Sequence, residues 1–339
     1  MNKKMDNTNF SPLIHIGFHK TATTFLQNNI FSNPEYGFIP LSDRKFREAE
    51  LARPSKTIHV KGFAAYFLTK SNQGYFLNPY ENRTKEIHQE VEYFMQETDY
   101  IKDKTCVLSN ERLCGSPHIG FYDSKDICNR IFDAFPNAKI LITVREQRSM
   151  IKSLYFQYMV AGGTKRIEKF LSQKYSNFGG SSFRPSDLCY DKLVGHYIKK
   201  FGKSNVQVLP YEMLKNNNEL FFDRLFSFIE KEKPALDISK HKKENNSKSM
   251  YVRYKMRSLF RLFNPYKDVE SIIPSEFLFN ALGVLSIYVS KILPQYLNRS
   301  FKNRIDKDID NFSKHKFSES NKKLEEQIEI NLNDYGYDL

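Results

Sequence analysis

The sequence predicts an α/β fold in which helices cover both faces of a parallel sheet. Four short runs rich in apolar and β-branched residues carry that expectation: Leu13–Gly17, Thr105–Ser109, Lys139–Val144 and Val206–Tyr211. Continuous apolar runs of this length suit strands buried on both sides. Helical patterns lie between them, and strand alternating with helix is the signature of a doubly wound sheet. The chain has 339 residues, 40% of them hydrophobic and 27% charged, so it can bury a large core without a disulfide or metal staple.

Each element follows from its residues in turn. LIHIG, residues 13–17, is the first strand, and a polar loop from Phe18 to Thr23 leads into a helix that begins near Thr24. Ile87, Val91, Phe94 and Met95 share one helical face ahead of the second strand, TCVLS. The third strand, KILITV, feeds a helix over residues 149–160. Gly179, Gly180, Ser181 and Ser182 mark a loop. Helices over 193–201 and 220–229 flank the fourth strand. From Lys240 to Lys267 there are nine basic residues and one acidic residue, Glu244. That segment opens as a loop. A helix follows whose apolar face is Val252, Met256, Leu259, Phe260 and Phe263, with Arg253, Arg257 and Arg261 lining the adjacent face. The most apolar later run, Phe277–Leu293, holds 17 residues and includes Asn280 and Lys291. A membrane span needs ~20 apolar residues, so a buried or surface-docked helix is expected.

Composition narrows the function classes. It excludes wholesale disorder, collagen-like repeats and a multi-span membrane protein. Lys and Arg number 52 against 39 Asp and Glu, and the net charge of +13 favours an anionic partner. Cys106, Cys114, Cys128 and Cys189 form no CxxC pair and no zinc-ligand pattern. Scattered cysteines of this kind suit a reducing compartment. The polar N-terminus carries no signal-peptide pattern, so a cytoplasmic location is expected. Peripheral contact of residues 250–297 with the inner membrane face is the alternative left open.

The most informative stretch is Ile14 to Phe31, IHIGFHKTATTFLQNNIF. A strand that turns through a short polar loop into a helix aims backbone N–H groups and the positive end of the helix dipole at one spot. Lys20 adds a cation there, and Thr21, Thr23 and Thr24 add hydroxyls. The result is an anion cradle suited to a phosphate. It lacks the GxxxxGK[ST] spacing, which disfavours an ordinary Mg-dependent NTPase. A second cation, Arg145, ends the strand KILITV, at the edge where α/β sheets hold ligands. Its guanidinium fork suits bidentate phosphate binding. Ser153, two turns into the next helix, can face the same anion.

These residues resemble those of sulfotransferases that use PAPS (3′-phosphoadenosine 5′-phosphosulfate), in particular bacterial, carbohydrate-sulfotransferase-like members. GFHKTATTFLQ is similar to the family's 5′-phosphosulfate loop, with Ala22 where many members carry glycine. Arg145 with Ser153 resembles its 3′-phosphate site, and VQVLPYE resembles a strand ending in a Tyr-Glu pair, which implies Tyr211 near the adenosine. The tail from Phe317 resembles the closing helix and Tyr-Gly ending of bacterial members. The resemblance implies a single domain over 1–339 with a three-layer α/β/α architecture and central parallel sheet, the P-loop-nucleotide-hydrolase-like sulfotransferase fold. Residues 32–103 and 267–304 are then helical or loop insertions that shape the acceptor site.

The implied reaction is sulfuryl transfer from PAPS to an acceptor hydroxyl or amine, with a carbohydrate as leading acceptor, PAP as product and no metal. Nucleic acid is not an expected partner. The implied donor site is Lys20, Thr21, Ala22, Thr23, Thr24, Arg145, Ser153 and Tyr211, with Ser247 and Lys248 closing over the nucleotide. Lys20 and the loop N–H groups meet the charge that builds on the leaving phosphate. Glu111, two residues past TCVLS, is the expected general base, with His59 behind it. His19 is expected to orient the loop. A nucleotide-dependent phosphotransferase of similar fold, or a basic protein that binds nucleic acid or a membrane surface, are the alternatives.

Overall fold

The computed structural model describes residues 10–41, 87–88, 103–115, 121, 123–172, 185–236, 250–265 and 271–339. The chain enters on β1 (Leu13–Gly17) and α1 (Thr23–Leu26), which a π-helical turn, Gln27–Phe31, continues before β2 (Phe38–Pro40). Next come β3 (Thr105–Ser109), α2 (Ser124–Ala134), β4 (Lys139–Val144), α3 (Gln147–Val160), α4 (Ile167–Leu171) and α5 (Tyr190–Phe201). β5 (Val206–Pro210), α6 (Tyr211–Asn216) and α7 (Asn218–Phe228) follow. The last elements are α8 (Met250–Lys255), α9 (Arg257–Leu262), α10 (Glu276–Ile292), α11 (Gln295–Ser313) and α12 (Ser318–Ile328).

The described strands form one five-stranded sheet in the order β2-β3-β1-β4-β5, and every pairing is parallel. Side chains alternate across it as period-2 geometry requires. Ile14, Ile16, Leu108, Ile140, Ile142 and Val208 face a core closed by α2, α3, α5, α11 and α12. Leu13, Val107, Leu141 and Leu209 face a second core closed by α1, its π turn, α6 and α7. Two cores on opposite faces make the three-layer α/β/α architecture. Strand order reverses at β1, so the carboxyl ends of β1, β3 and β4 meet at a switch point, where open α/β sheets hold ligands.

Three of the four predicted strands match their expected bounds, and the fourth stops at Pro210 because Tyr211 opens α6. The edge strand β2 was not expected; three residues, FIP, carry no readable period. The helix expected over 252–263 is two helices that meet at Met256. Arg257 Nη1 donates to the Tyr254 carbonyl at 2.7 Å, an oxygen that a continuous helix would give to the N–H of Ser258. The arginine stripe is corrected with it. Arg253 stacks on Phe260 at 4.9 Å and Arg257 on Tyr254 at 4.5 Å, which leaves Arg261 as its solvent-exposed member. Phe277–Leu293 forms α10, docked on α8 and α9 with Phe279 edge-on to Phe260 at 5.4 Å. Ile87 is helical and buried; Val91, Phe94, Met95 and the Gly179–Ser182 loop lie outside the described residues.

Candidate active site

The first motif folds as a tight loop pinned under the end of β1. Phe18 N–H still donates to the Thr143 carbonyl of β4 at 3.1 Å, so the chain leaves the sheet only after Gly17. A Cβ at Gly17 would lie 2.1 Å from Thr23 Oγ1, so glycine is what lets the loop fold back onto its own strand. Lys20 and Ala22 both take left-handed backbone, at φ 67° and 64°. Ala22 is the residue that caps α1, at the place where the loop it resembles carries glycine in many sulfotransferases. Glycine enters that region at no steric cost, whereas a Cβ makes it unfavourable. Lys20 is exposed, Thr21 and Thr23 are buried, and Thr24 is exposed.

A buried polar relay fixes the loop from beneath. Thr21 Oγ1 donates to the Phe18 carbonyl at 2.6 Å, which uses its one proton. Thr143 Oγ1, 2.8 Å away, must then donate to Thr21. His15 Nε2 in turn donates to Thr143 at 3.2 Å, and His15 Nδ1 accepts from Ser109 Oγ at 2.7 Å. The order assigns the Nε2–H tautomer. It agrees with a neutral ring, because complete burial pushes the His15 pKa from 6.5 down to about 3. Ser109, His15, Thr143 and Thr21 thus join β3, β1, β4 and the loop in one line. Sequence reasoning missed this relay; a histidine inside an apolar strand reads as a break in the pattern, and only the register shows its neighbours.

Arg145 joins two of the predicted donor-site residues, Lys20 and Tyr211. Its Nη1 donates to the Lys20 carbonyl at 3.0 Å and its Nε to Ser149 Oγ at 2.9 Å. Its guanidinium lies 4.9 Å from the centre of the Tyr211 ring. Two donors are used this way of the five a guanidinium carries, which leaves donors for a phosphate. Ser149 was not anticipated. It stands one turn before Ser153 on α3, and its hydroxyl also reaches the Glu146 carbonyl at 3.0 Å. Tyr190 Oη donates to the Arg145 carbonyl at 2.7 Å and holds the backbone under the guanidinium. Arg148 and Lys152 are engaged elsewhere. Arg148 pairs with Glu146 at 2.8 Å, and Lys152 pairs with Asp306 at 2.6 Å.

The C-terminal tail supports this corner. Arg148 Nη2 donates to the Gly336 carbonyl at 2.6 Å, and Asn321, on α12, joins Gln147 at 2.6 Å and the Asp338 carbonyl at 2.8 Å. Tyr337 is buried against Glu212, whose Oε1 accepts the Glu146 N–H at 3.2 Å. Burial pushes the Glu212 carboxyl from 4.5 up to about 7.

Glu111 lies on the other side of the loop. A 3-10 turn, Glu111–Cys114, follows β3, opened by Asn110 Oδ1 accepting the Arg112 N–H at 2.8 Å. His19 Nε2 sits 3.9 Å from Glu111 Oε1. The Lys20 loop and the Glu111 turn therefore touch through His19, and Glu111 remains half exposed. His59, Ser247 and Lys248 lie outside the described residues, as does most of 32–103.

Fold and site define an α/β protein in which a loop after β1, bearing Lys20, and Arg145 at the end of β4 meet at the switch point of the sheet. The model of the sulfotransferase domain matches residues 11–262, and the chain belongs to the sulfotransferase family. Its assigned chemistry is therefore sulfuryl transfer. Among solved structures the chain is similar to a sulfotransferase from Alicyclobacillus acidocaldarius, at 15% identity over 73% of this chain and 92% of that one, with a TM-score of 0.44. It is also similar to the sulfotransferase domain from the curacin biosynthetic pathway, at 12% identity over 66% of this chain and 76% of that one, with a TM-score of 0.39. No curated protein matches it.

Proposed function

We propose that the sulfuryl donor is PAPS and that the acceptor is a hydroxyl or amine, with a carbohydrate the leading class. One observation carries the donor assignment: Arg145 bonds the Lys20 carbonyl while stacking on Tyr211, which joins the two phosphate motifs and the aromatic ring in one place. The Lys20 ammonium, the loop N–H groups of residues 22–24 and the Thr23 and Thr24 hydroxyls take the 5′-phosphate, while the Thr21 N–H and hydroxyl are spent on the Phe18 carbonyl. Arg145 and Ser153 take the 3′-phosphate, and Tyr211 lies along the adenosine. Ser247 and Lys248 close over the nucleotide.

In the transfer, the acceptor oxygen or nitrogen forms a bond to sulfur in line with the breaking bond between sulfur and the phosphate oxygen. PAP departs with that electron pair. Lys20 and the loop meet the charge on the departing oxygen, which is where fixed donors lower a barrier most. The acceptor proton goes to Glu111, held near the loop by His19, with His59 the alternative base. The net charge of +13 favours an acidic polymer as acceptor.

Thermal melts in the presence of PAP, ATP with Mg, and an oligonucleotide test the donor assignment. PAP at one hundred times its Kd should stabilise the fold by ~2.7 kcal/mol, and the other two should not. Lys20→Ala should leave the melting temperature unchanged and lower kcat/KM for PAPS by ~10²–10³. A value within threefold of wild type would remove the loop from the mechanism.

A further inference from the structure

Helix α10 is built inside out. Its buried positions are Phe279, Gly283 and Ser286, and the serine returns its proton to the Gly283 carbonyl at 2.7 Å. Its outward positions are large and apolar: Phe277 is 79% exposed, Val284 54%, Leu285 48%, Tyr288 60% and Ile292 85%. At 3.6 residues per turn these five fall within an arc about 100° wide, the width of the stripe that a helix of a soluble protein turns toward its core. Exposed Ile272 and Ile273 extend the patch before the helix, and Tyr296 extends it beyond. A contiguous apolar surface of this kind marks a place where something other than water is met.

The surroundings say what is met. Within residues 250–265 and 271–304 there are eight Lys and Arg and one carboxylate, Glu276. A cleft of about 760 Å³ opens where α10 passes into α11, lined by four cations, Lys152, Lys291, Arg299 and Lys302, and one carboxylate, Asp306, which pairs with Lys152, together with Tyr296 of the patch. A second copy of the chain on a two-fold axis would set this patch against itself, cations facing cations. An anionic lipid surface complements both the apolar arc and the charge. By itself α10 is short for a span, although α10 and α11 together make a bent pair whose length and composition would suit one. Its 17 residues reach ~26 Å, short of the ~30 Å hydrocarbon layer, and α11 turns away by 110°. Among the described residues, no single helix is long and apolar enough to cross a membrane.

We propose that α10 lies in the plane of an anionic lipid surface. Phe277, Val284, Leu285, Tyr288 and Ile292 enter the acyl boundary, and lipid phosphates rest against Lys291, Arg299 and Lys302. The inference stands apart from the donor assignment, and its test reads no sulfuryl transfer.

The chain contains no tryptophan, so Ile292→Trp supplies a single reporter. The full chain should sediment with phosphatidylcholine vesicles that contain phosphatidylglycerol, and at least tenfold less with phosphatidylcholine alone. Trp emission should move to the blue on the anionic vesicles and be quenched by brominated acyl chains. Combining Phe277→Ser, Val284→Ser and Tyr288→Ser should lower partitioning at least tenfold with an unchanged melting temperature, since all three side chains are exposed. Unmoved Trp emission on anionic vesicles overturns the proposal, as does vesicle binding that survives the triple substitution. A doubled mass in light scattering, abolished by the same substitutions, overturns it in favour of a second copy.

Discussion

At the scale of single residues, the site rests on two neighbouring backbone choices with opposite consequences. Gly17→Ala drives a Cβ into Thr23 Oγ1 at 2.1 Å, and overpacking of this kind costs ~1–3 kcal/mol. Ala22→Gly relieves left-handed backbone and should raise stability by up to about 1 kcal/mol. Urea unfolding of both variants checks the pair; the same sign for both would contradict the loop geometry. Arg145→Ala should weaken PAP far more than adenosine 5′-phosphosulfate, which lacks the 3′-phosphate, because a hydrogen bond to a charged group is worth ~1.5–3 kcal/mol. Calorimetry showing equal losses for the two nucleotides would contradict that role. The meeting of Lys20 and Arg145 was legible in the sequence because a cation at a strand end and a polar loop after a strand are local patterns, whereas Tyr211 came only from the family resemblance. His15, Ser109 and Thr143 were not legible, since their link exists only once β3, β1 and β4 are in register.

At the scale of elements, legibility followed burial. β1, β3 and β4 are almost wholly buried, so their apolar runs are uninterrupted and their bounds could be read directly. The short edge strand β2 carries no such run, and the break between α8 and α9 comes from Arg257 taking a backbone carbonyl, a contact outside the helical period. The corner from β5 into α6 places Glu212 where its carboxyl is pushed from 4.5 up to about 7. The unfolded chain ionises this group above about pH 4.5, while the folded chain keeps its proton until about pH 7. The fold therefore holds an extra proton across that window, and stability falls as pH rises through it. Glu212→Gln keeps an acceptor for the Glu146 N–H and should abolish the fall. The variant should equal wild type near pH 4 and exceed it at pH 8 by on the order of 3 kcal/mol. Parallel denaturation profiles for the two proteins over this range would contradict the assignment.

At the scale of the whole molecule, the candidate site is assembled from distant stretches of chain: the Lys20 loop, the β4–α3 corner, the β5–α6 corner and the tail. The tail reads in sequence as a signature of fold without chemistry, yet it carries Tyr337 against Glu212 and a carbonyl acceptor for Arg148. Deleting residues 331–339 should preserve the far-UV dichroism of the sheet and helices while abolishing thermal protection by PAP. Protection that survives the deletion would show that the tail is dispensable. The same clasp bears on how the protein is made. Synthesis delivers the Lys20 loop long before Tyr337, and domains tend to fold as they emerge. A nascent chain can pair β1, β4 and β5 before the tail exists, but the corner around Arg145 and Glu212 stays open beneath until Gly336 and Tyr337 have been made and can pack there.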